Sequence, residues 1–169
     1  MTWTTDSPDA TRELAGVVAE LCRPGDVVLL VGDLGAGKTV FAQGFAAALG
    51  VAGPVTSPTF ALVRQYRCAE GSPVGLLIHA DVYRTGSLDE VVDLALAELV
   101  EEDAVALVEW GELAAPALGD SALEVTIAAP DSQAAPDQRM LTLVGRGRWE
   151  GRSDTVAALW TSMAGRTSS

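Results

Sequence analysis

Apolar residues along this chain follow two rhythms in alternation. Short unbroken runs rich in valine, leucine and alanine read as strands buried on both faces, whereas apolar residues three or four apart read as amphipathic helices. A first helix is expected to open at Ser7 and Pro8, with Leu14, Val17, Val18 and Leu21 as its stripe and Pro24 and Gly25 as its breakers. Residues 27–31 form an all-apolar, mostly β-branched run, the pattern of a buried parallel strand. Phe41, Phe45, Ala48 and Leu49 then mark a second helix, closed by Gly50 in a left-handed cap. After a proline-rich turn, residues 60–66 and Leu76–Asp81 read as strands joined by a Gly/Ser/Pro loop.

The second half continues the alternation. Ser87 with Glu90 three residues later makes a capping box, and Leu88, Val91, Val92, Ala95, Leu96 and Leu99 supply the buried face of its helix. Residues 105–108 are another buried strand. Residues 122–128 and 140–144 read as two strands around a surface loop, 129–138, and residues 153–164 as a last helix. The expected fold is therefore α/β: one domain spanning residues 1–165, with a mostly parallel central sheet flanked by helices and an antiparallel edge. Residues 166–169 are expected to be a mobile tail.

The turn between the first buried strand and the second helix carries the most specific chemistry. Gly32, Asp33, Leu34, Gly35, Ala36, Gly37, Lys38 and Thr39 read GxxxxGKT, and Lys38 is the only lysine among 169 residues. Glycines at this spacing let successive N–H groups face one concavity, and the following helix adds the positive end of its dipole, so the expected ligand is a polyphosphate. Lys38 is placed to reach the β- and γ-phosphates, and the Thr39 hydroxyl to ligate Mg²⁺. Strand, loop and helix stand in the order this motif requires, which makes the fold expectation that of a phosphate-loop NTPase.

Composition narrows the surroundings. The formal net charge of −12 argues against free-standing nucleic-acid binding, because phosphate backbones are held by Lys and Arg patches. Cys22 and Cys68 belong to no metal or redox spacing and read as free thiols of a reducing compartment. Residues 39–63 carry no charge but include Gln43, Pro54 and Pro58, so they read as helix plus loop rather than a membrane span, and the expected location is cytoplasmic.

Two predicted strands end in a carboxylate, Asp81 and Glu109. Either suits completion of a Mg²⁺ site, since open α/β sheets place ligand sites at those strand ends. His79, the only histidine, shares a strand face with Asp81; packing and a direct chemical role both stay open for it. Thr56, Ser57, Pro58 and Thr59 occupy the place where many triphosphatases sense the γ-phosphate, and an ordinary proline turn reads equally well. Trp110 reads as a core plug at a strand end. The chain has no asparagine and no second lysine, which excludes the Asn/Thr-Lys-x-Asp element of guanine-specific GTPases and favours ATP.

Taken together, GDLGAGKTVF at 32–41, TSPTFALVRQY at 56–66, HADVYR at 79–84 and VEWGE at 108–112 resemble the bacterial TsaE (YjeE) family of small ATPases. The resemblance implies ATP binding and hydrolysis in the making of N6-threonylcarbamoyladenosine in tRNA, in a complex with TsaD and TsaB subunits that themselves hold the tRNA and transfer the group. It also implies roles for individual residues. Gly35, Ala36, Gly37, Lys38 and Thr39 would wrap the phosphates, Thr39 and Glu109 would hold Mg²⁺, and Asp81 would position or activate the attacking water. The segment from Thr56 to Phe60 would be the switch, Trp110 would matter for coupled activity, and Thr11 and Arg139 would lie near the adenosine. Val40 departs from the family's usual second threonine, leaving only a main-chain contact to the α-phosphate there. Two alternatives come from other classes: a small-molecule kinase in which Arg64 and Arg67 close over the transferred phosphate, and a non-hydrolysing, nucleotide-dependent interaction module.

Overall fold

Strands at the centre of this chain are buried along nearly their whole length, and those towards the edges alternate. That contrast follows the direction of pairing. In the computed structural model, which describes residues 1–58, 62–83, 100, 103–130 and 135–164, the described strands form a single seven-stranded mixed sheet. They are β1 (Thr2–Thr5), β2 (Asp26–Val31), β3 (Val63–Arg67), β4 (Leu76–Asp81), β5 (Ala104–Glu109), β6 (Leu123–Ala128) and β7 (Arg139–Gly145), in the spatial order β1-β7-β6-β2-β5-β4-β3. β6, β2, β5 and β4 run parallel, while β7 and β1 on one side and β3 on the other pair antiparallel. Parallel strands covered on both faces are apolar along their middles, as β2 and β5 are between Asp26 at the start of one and Glu109 at the end of the other; β6 is half-solvated and alternates.

Four described helices flank the sheet: α1 (Pro8–Glu20), α2 (Lys38–Ala48), α3 (Gly111–Leu118) and α4 (Arg152–Ala164). α1 begins where expected, with the Ser7 hydroxyl accepting from the Ala10 amide at 3.2 Å. α2 ends at a Leu49 cap followed by Gly50 at φ +69°; Ala48 faces solvent, and Ala42 and Ala46 take the buried positions beside Phe41 and Phe45. Alternate residues of β2, β4 and β5 divide the core in two. Val28, Leu30, Leu77, Val105 and Leu107 pack under α1 and α2, and Val27, Leu29, Ile78, Ala106 and Val108 face the side of α3. α4 is tied to the N-terminal end of β2 by Arg152, which grips the fully buried Asp26 with two bonds of 2.7 Å.

Three elements differ from the sequence expectation. β3 starts at Val63 rather than residue 60, because Leu62 adopts φ +58° in a turn closed by its amide on the Pro58 carbonyl. β1 was not expected from a short polar segment; it exists through pairing with β7, Trp3 opposite Leu141. α3 was not expected either, since Pro116 lies inside it. It starts where Gly111 abuts β2 so closely that an added Cβ would stand 2.6 Å from the Leu29 Cβ. The expected antiparallel edge is present on both sides of the sheet. The helix expected from Ser87, residues Thr59 and Phe60, and the tail 166–169 lie outside the described residues. Among the described residues no helix is long and apolar enough to cross a membrane.

Candidate functional site

β2 carries the chain to the C-terminal edge of the sheet and releases it into the glycine-rich loop. Gly35 and Gly37 take φ +79° and +113°, a region that L side chains rarely enter, and this turns the backbone around an open space: a Cβ on Gly35 would find no heavy atom within 4 Å. Gly37 is the N-cap of α2, with no side chain capping the helix. The first main-chain bond of that turn runs from the Phe41 amide to the Gly37 carbonyl at 3.0 Å, so the Lys38, Thr39 and Val40 amides sit at an uncapped helix start. Uncapped amides and the helix dipole make this end attractive to anions.

Lys38 is almost fully buried and folds back onto its own loop. Its Nζ donates to the Gly32 carbonyl and, at 2.8 Å, to the Asp33 carbonyl, and lies 3.6 Å from the centroid of the Trp110 ring. Burial lowers its pKa from the usual lysine value, against the pull of Glu109 first and then Glu112, Asp81 and Asp33. Among the described residues no carboxylate closes an ion pair with it.

Strand register sets the acids. Asp81 and Glu109 are direct partners at the ends of β4 and β5, with Leu30 of β2 beside Glu109, and all three point to the α2 side of the sheet. The Thr39 hydroxyl donates to Glu109 Oε2 at 3.1 Å. His79 Nε2 stands 2.9 Å from Glu109 Oε1, with both side chains buried. Asp81 instead accepts from the Ser57 hydroxyl and, at 3.1 Å, from the Tyr83 amide. The sequence left the two carboxylates equivalent, and the fold separates them: Glu109 faces the start of α2, and Asp81 faces the 56–58 segment. Among the described residues no cluster of three or more His, Cys, Asp or Glu is arranged to hold a metal. A divalent cation at this edge would therefore be held by few protein oxygens, its own waters and a bound ligand, the habit of Mg²⁺.

Trp110 packs half-buried against the core on the α3 side, as expected, and also faces the site. It adopts φ +62° at the turn from β5 into α3, lies half-buried over Lys38, and meets the Tyr83 ring at a tilt of 34° with centroids 4.5 Å apart. Beside the start of α2, Pro8, Thr11, Gly37, Val40, Asp137 and Arg139 line a small pocket. Arg139 braces the glycine loop from there, its Nε donating to the Ala36 carbonyl at 2.7 Å. The Thr11 hydroxyl donates to the Ser7 carbonyl and pairs with the Thr5 hydroxyl at 2.8 Å.

Not every candidate converges. Thr56 points away from Asp81 to Arg64, at 3.5 Å, and borders a separate groove with Arg12 and Gln43. Arg67 pairs with Leu76 at the opposite end of β4 from Asp81, so Arg64 and Arg67 cannot close together over this edge. Sequence reasoning missed the Tyr83 ring contact, the Ser57–Asp81 bond and the place of Pro8 and Asp137 in the pocket. Tyr83 lies within the HADVYR block and offered a signal; Asp137 offered none.

The sequence matches the family model described as "Threonylcarbamoyl adenosine biosynthesis protein TsaE" over residues 5–140. The chain belongs to the TsaE family. A TsaE relative from Bacillus subtilis, named tRNA threonylcarbamoyladenosine biosynthesis protein TsaE, is 40% identical over 145 residues, covering 86% of this chain and 85% of the relative. A Streptomyces coelicolor protein of the same name is 41% identical over 150 residues, covering 87% and 99%. The crystal structure of YdiB from Bacillus subtilis superposes with a TM-score of 0.67 at 32% identity, covering 97% of this chain and 95% of that one. The stretch matched to TsaE includes the glycine loop, both strand-end acids and Arg139, and stops before α4.

Proposed function

We propose that this TsaE-family chain binds and hydrolyses Mg·ATP in the cytoplasm in support of N6-threonylcarbamoyladenosine formation on tRNA, docked on TsaD-like and TsaB-like subunits that carry the tRNA. The observation that carries this reading is the meeting, at one sheet edge, of an uncapped helix start, Lys38, Thr39 and two in-register carboxylates. The amides of residues 35–39 and Val40 would cradle the polyphosphate, and Lys38 would exchange the Gly32 and Asp33 carbonyls for phosphate oxygens. Thr39 and Glu109 are the oxygens suited to Mg²⁺, which when bound neutralises charge on the phosphates. Asp81 is the acceptor suited to orienting the attacking water, and its bond to Ser57 links it to the Thr56–Thr59 switch. Thr11 and Arg139, with Pro8, Val40 and Asp137, would flank the adenosine. Trp110, standing between Lys38 and the exposed Tyr83, is suited to couple the site to a docked surface.

Hydrolysis by the isolated chain is expected to be weak and to rise in the complex. Phosphoryl transfer depends on positioning and charge neutralisation, and switch residues without a partner supply neither in full. The net charge of −12 fits the same division of labour, because the tRNA phosphates would be gripped elsewhere. The test is reconstitution: the chain with TsaD-like and TsaB-like subunits, a preformed activated threonylcarbamoyl donor, ATP and tRNA. Multiple rounds of modification should require both the chain and ATP cleavage. Sustained turnover without the chain would refute the reading, and sustained turnover with ATP left intact would make the protein a nucleotide-dependent interaction module.

A further inference from the structure

We propose that His79 is a positioning residue, a buried imidazole that holds the Glu109 carboxylate in the orientation Mg²⁺ requires without itself touching nucleotide or metal. The inference rests on the Mg·ATP reading above and deepens it. His79 is fully buried on β4, opposite Leu107 in register and so diagonal to Glu109, whose Oε1 lies 2.9 Å from Nε2. A glutamate carboxylate only accepts, so Nε2 carries the hydrogen. Nδ1 has no hydrogen-bonding partner among the described residues. Among the described residues, then, a hydrogen there would be a buried donor left unmade, and the ring ends the run of bonds that starts at Glu109.

What it terminates is the freedom of the carboxylate. The last torsion of a glutamate is broad and roughly two-fold, so the group must be pinned from outside. His79 fixes Oε1 from behind, while the Thr39 hydroxyl lies nearer Oε2, at 3.1 Å, than Oε1, at 3.4 Å. Among the carboxylates around Lys38, Glu109 exerts the strongest charge effect on the ammonium. An unpinned Glu109 would be free to turn Oε2 away from the start of α2, which removes a metal oxygen and leaves Lys38 on its carbonyls. This is the reverse of the usual arrangement in which a carboxylate orients a metal-binding histidine, and the same physics applies.

The test compares His79→Met, which keeps volume and removes the donor, with His79→Gln, whose amide N–H reaches the Nε2 position. The quantity measured is the Mg²⁺ enhancement, meaning the ratio of ATP affinities with and without Mg²⁺ by calorimetry. His79→Met should lose about 10–100-fold of this enhancement while metal-free affinity stays within about threefold, and His79→Gln should restore it to within about threefold of wild type. A His79→Met protein with the wild-type enhancement, or a His79→Gln protein as impaired as His79→Met, overturns the inference. Because His79 is the only histidine, ¹⁵N-histidine labelling gives one imidazole to observe even if the Met variant fails to fold. Nε2 should carry the hydrogen, and its resonance should move when Mg²⁺ is added to the ATP-bound wild type but not to a Glu109→Gln control. A hydrogen on Nδ1, or a resonance indifferent to Mg²⁺, also overturns it. Wild type without any Mg²⁺ enhancement would sink the metal reading itself, a separate and recognisable failure.

Discussion

The two ends of β2 both bury charge and are built in opposite ways. At the N-terminal end, Asp26 receives two guanidinium bonds from Arg152 and the Arg23 amide at 2.8 Å, while Arg152 also donates to the Leu21 and Arg148 carbonyls and lies 4.1 Å over the Trp149 ring. Acid and base there close on each other. At the C-terminal end, Lys38 rests on carbonyls and an indole, Glu109 on Thr39 and His79, and Asp81 on Ser57. Acids and base share one edge without pairing, so their charge stays available for something that arrives from outside. Burial alone does not separate a structural cluster from a functional one; the presence or absence of internal neutralisation does.

The largest effect is expected at the closed end. Arg152→Leu would strand Asp26 without its counter-ion and should cost about 3–5 kcal/mol in denaturant unfolding, with ATP affinity of the folded protein unchanged. A loss below about 1 kcal/mol would mean that Arg148, already 4.0 Å from Asp26, takes over the charge. At the open end the pattern should invert. Lys38→Ala should weaken ATP binding by about a hundredfold in calorimetry, the loss of charge-assisted bonds to phosphate, while moving stability by less than about 1 kcal/mol, since burial already penalises the ammonium. Full affinity in that variant would put the nucleotide elsewhere.

Two further measurements sharpen the contrast within and between the ends. Glu109→Ala should lose about 10–100-fold of Mg²⁺-dependent binding, and Asp81→Ala should bind near normally while losing turnover. The opposite order in titration and single-turnover assays would exchange the two roles. The smallest effect belongs to Cys22, whose thiol is pushed up above its ordinary value of 9.0 by burial first and by Asp26 next, with Arg152 opposing. Above that value the unfolded chain has released a proton that the native state still holds, so native protein binds more protons and stability falls as pH rises, by at most about 1.4 kcal/mol per unit. Lys38 contributes with the opposite sign there, so the measurement belongs in the Lys38→Ala background, where Cys22→Ala should flatten the decline. Equal slopes with and without the thiol would show that the closed end does not hold it.

The central strands and the glycine loop were legible because their signals are local. A run of β-branched residues, a GxxxxGKT spacing and a serine before proline act through neighbouring dihedrals and through an uncapped helix start. The three misjudged elements lacked such signals or carried contrary ones. β1 is held by a strand more than 130 residues away, α3 contains a proline and depends on Gly111 fitting against Leu29, and β3 is shortened by the positive φ of Leu62. The candidate site shows the same division. Lys38, Thr39, Asp81 and Glu109 could be named one at a time from motif and strand-end position.

Local patterns in the chain thus set the alternation of elements, the chemistry of the loop and the two acids at strand ends. Long-range pairing alone turned Glu109 to Thr39 and His79, turned Asp81 to Ser57, and laid Trp110 over Lys38. The reason is register. These partners are separated by 24 to 72 positions in the chain, and a slip of one residue in the pairing of β4 with β5 would turn each side chain of the shifted strand to the other face of the sheet.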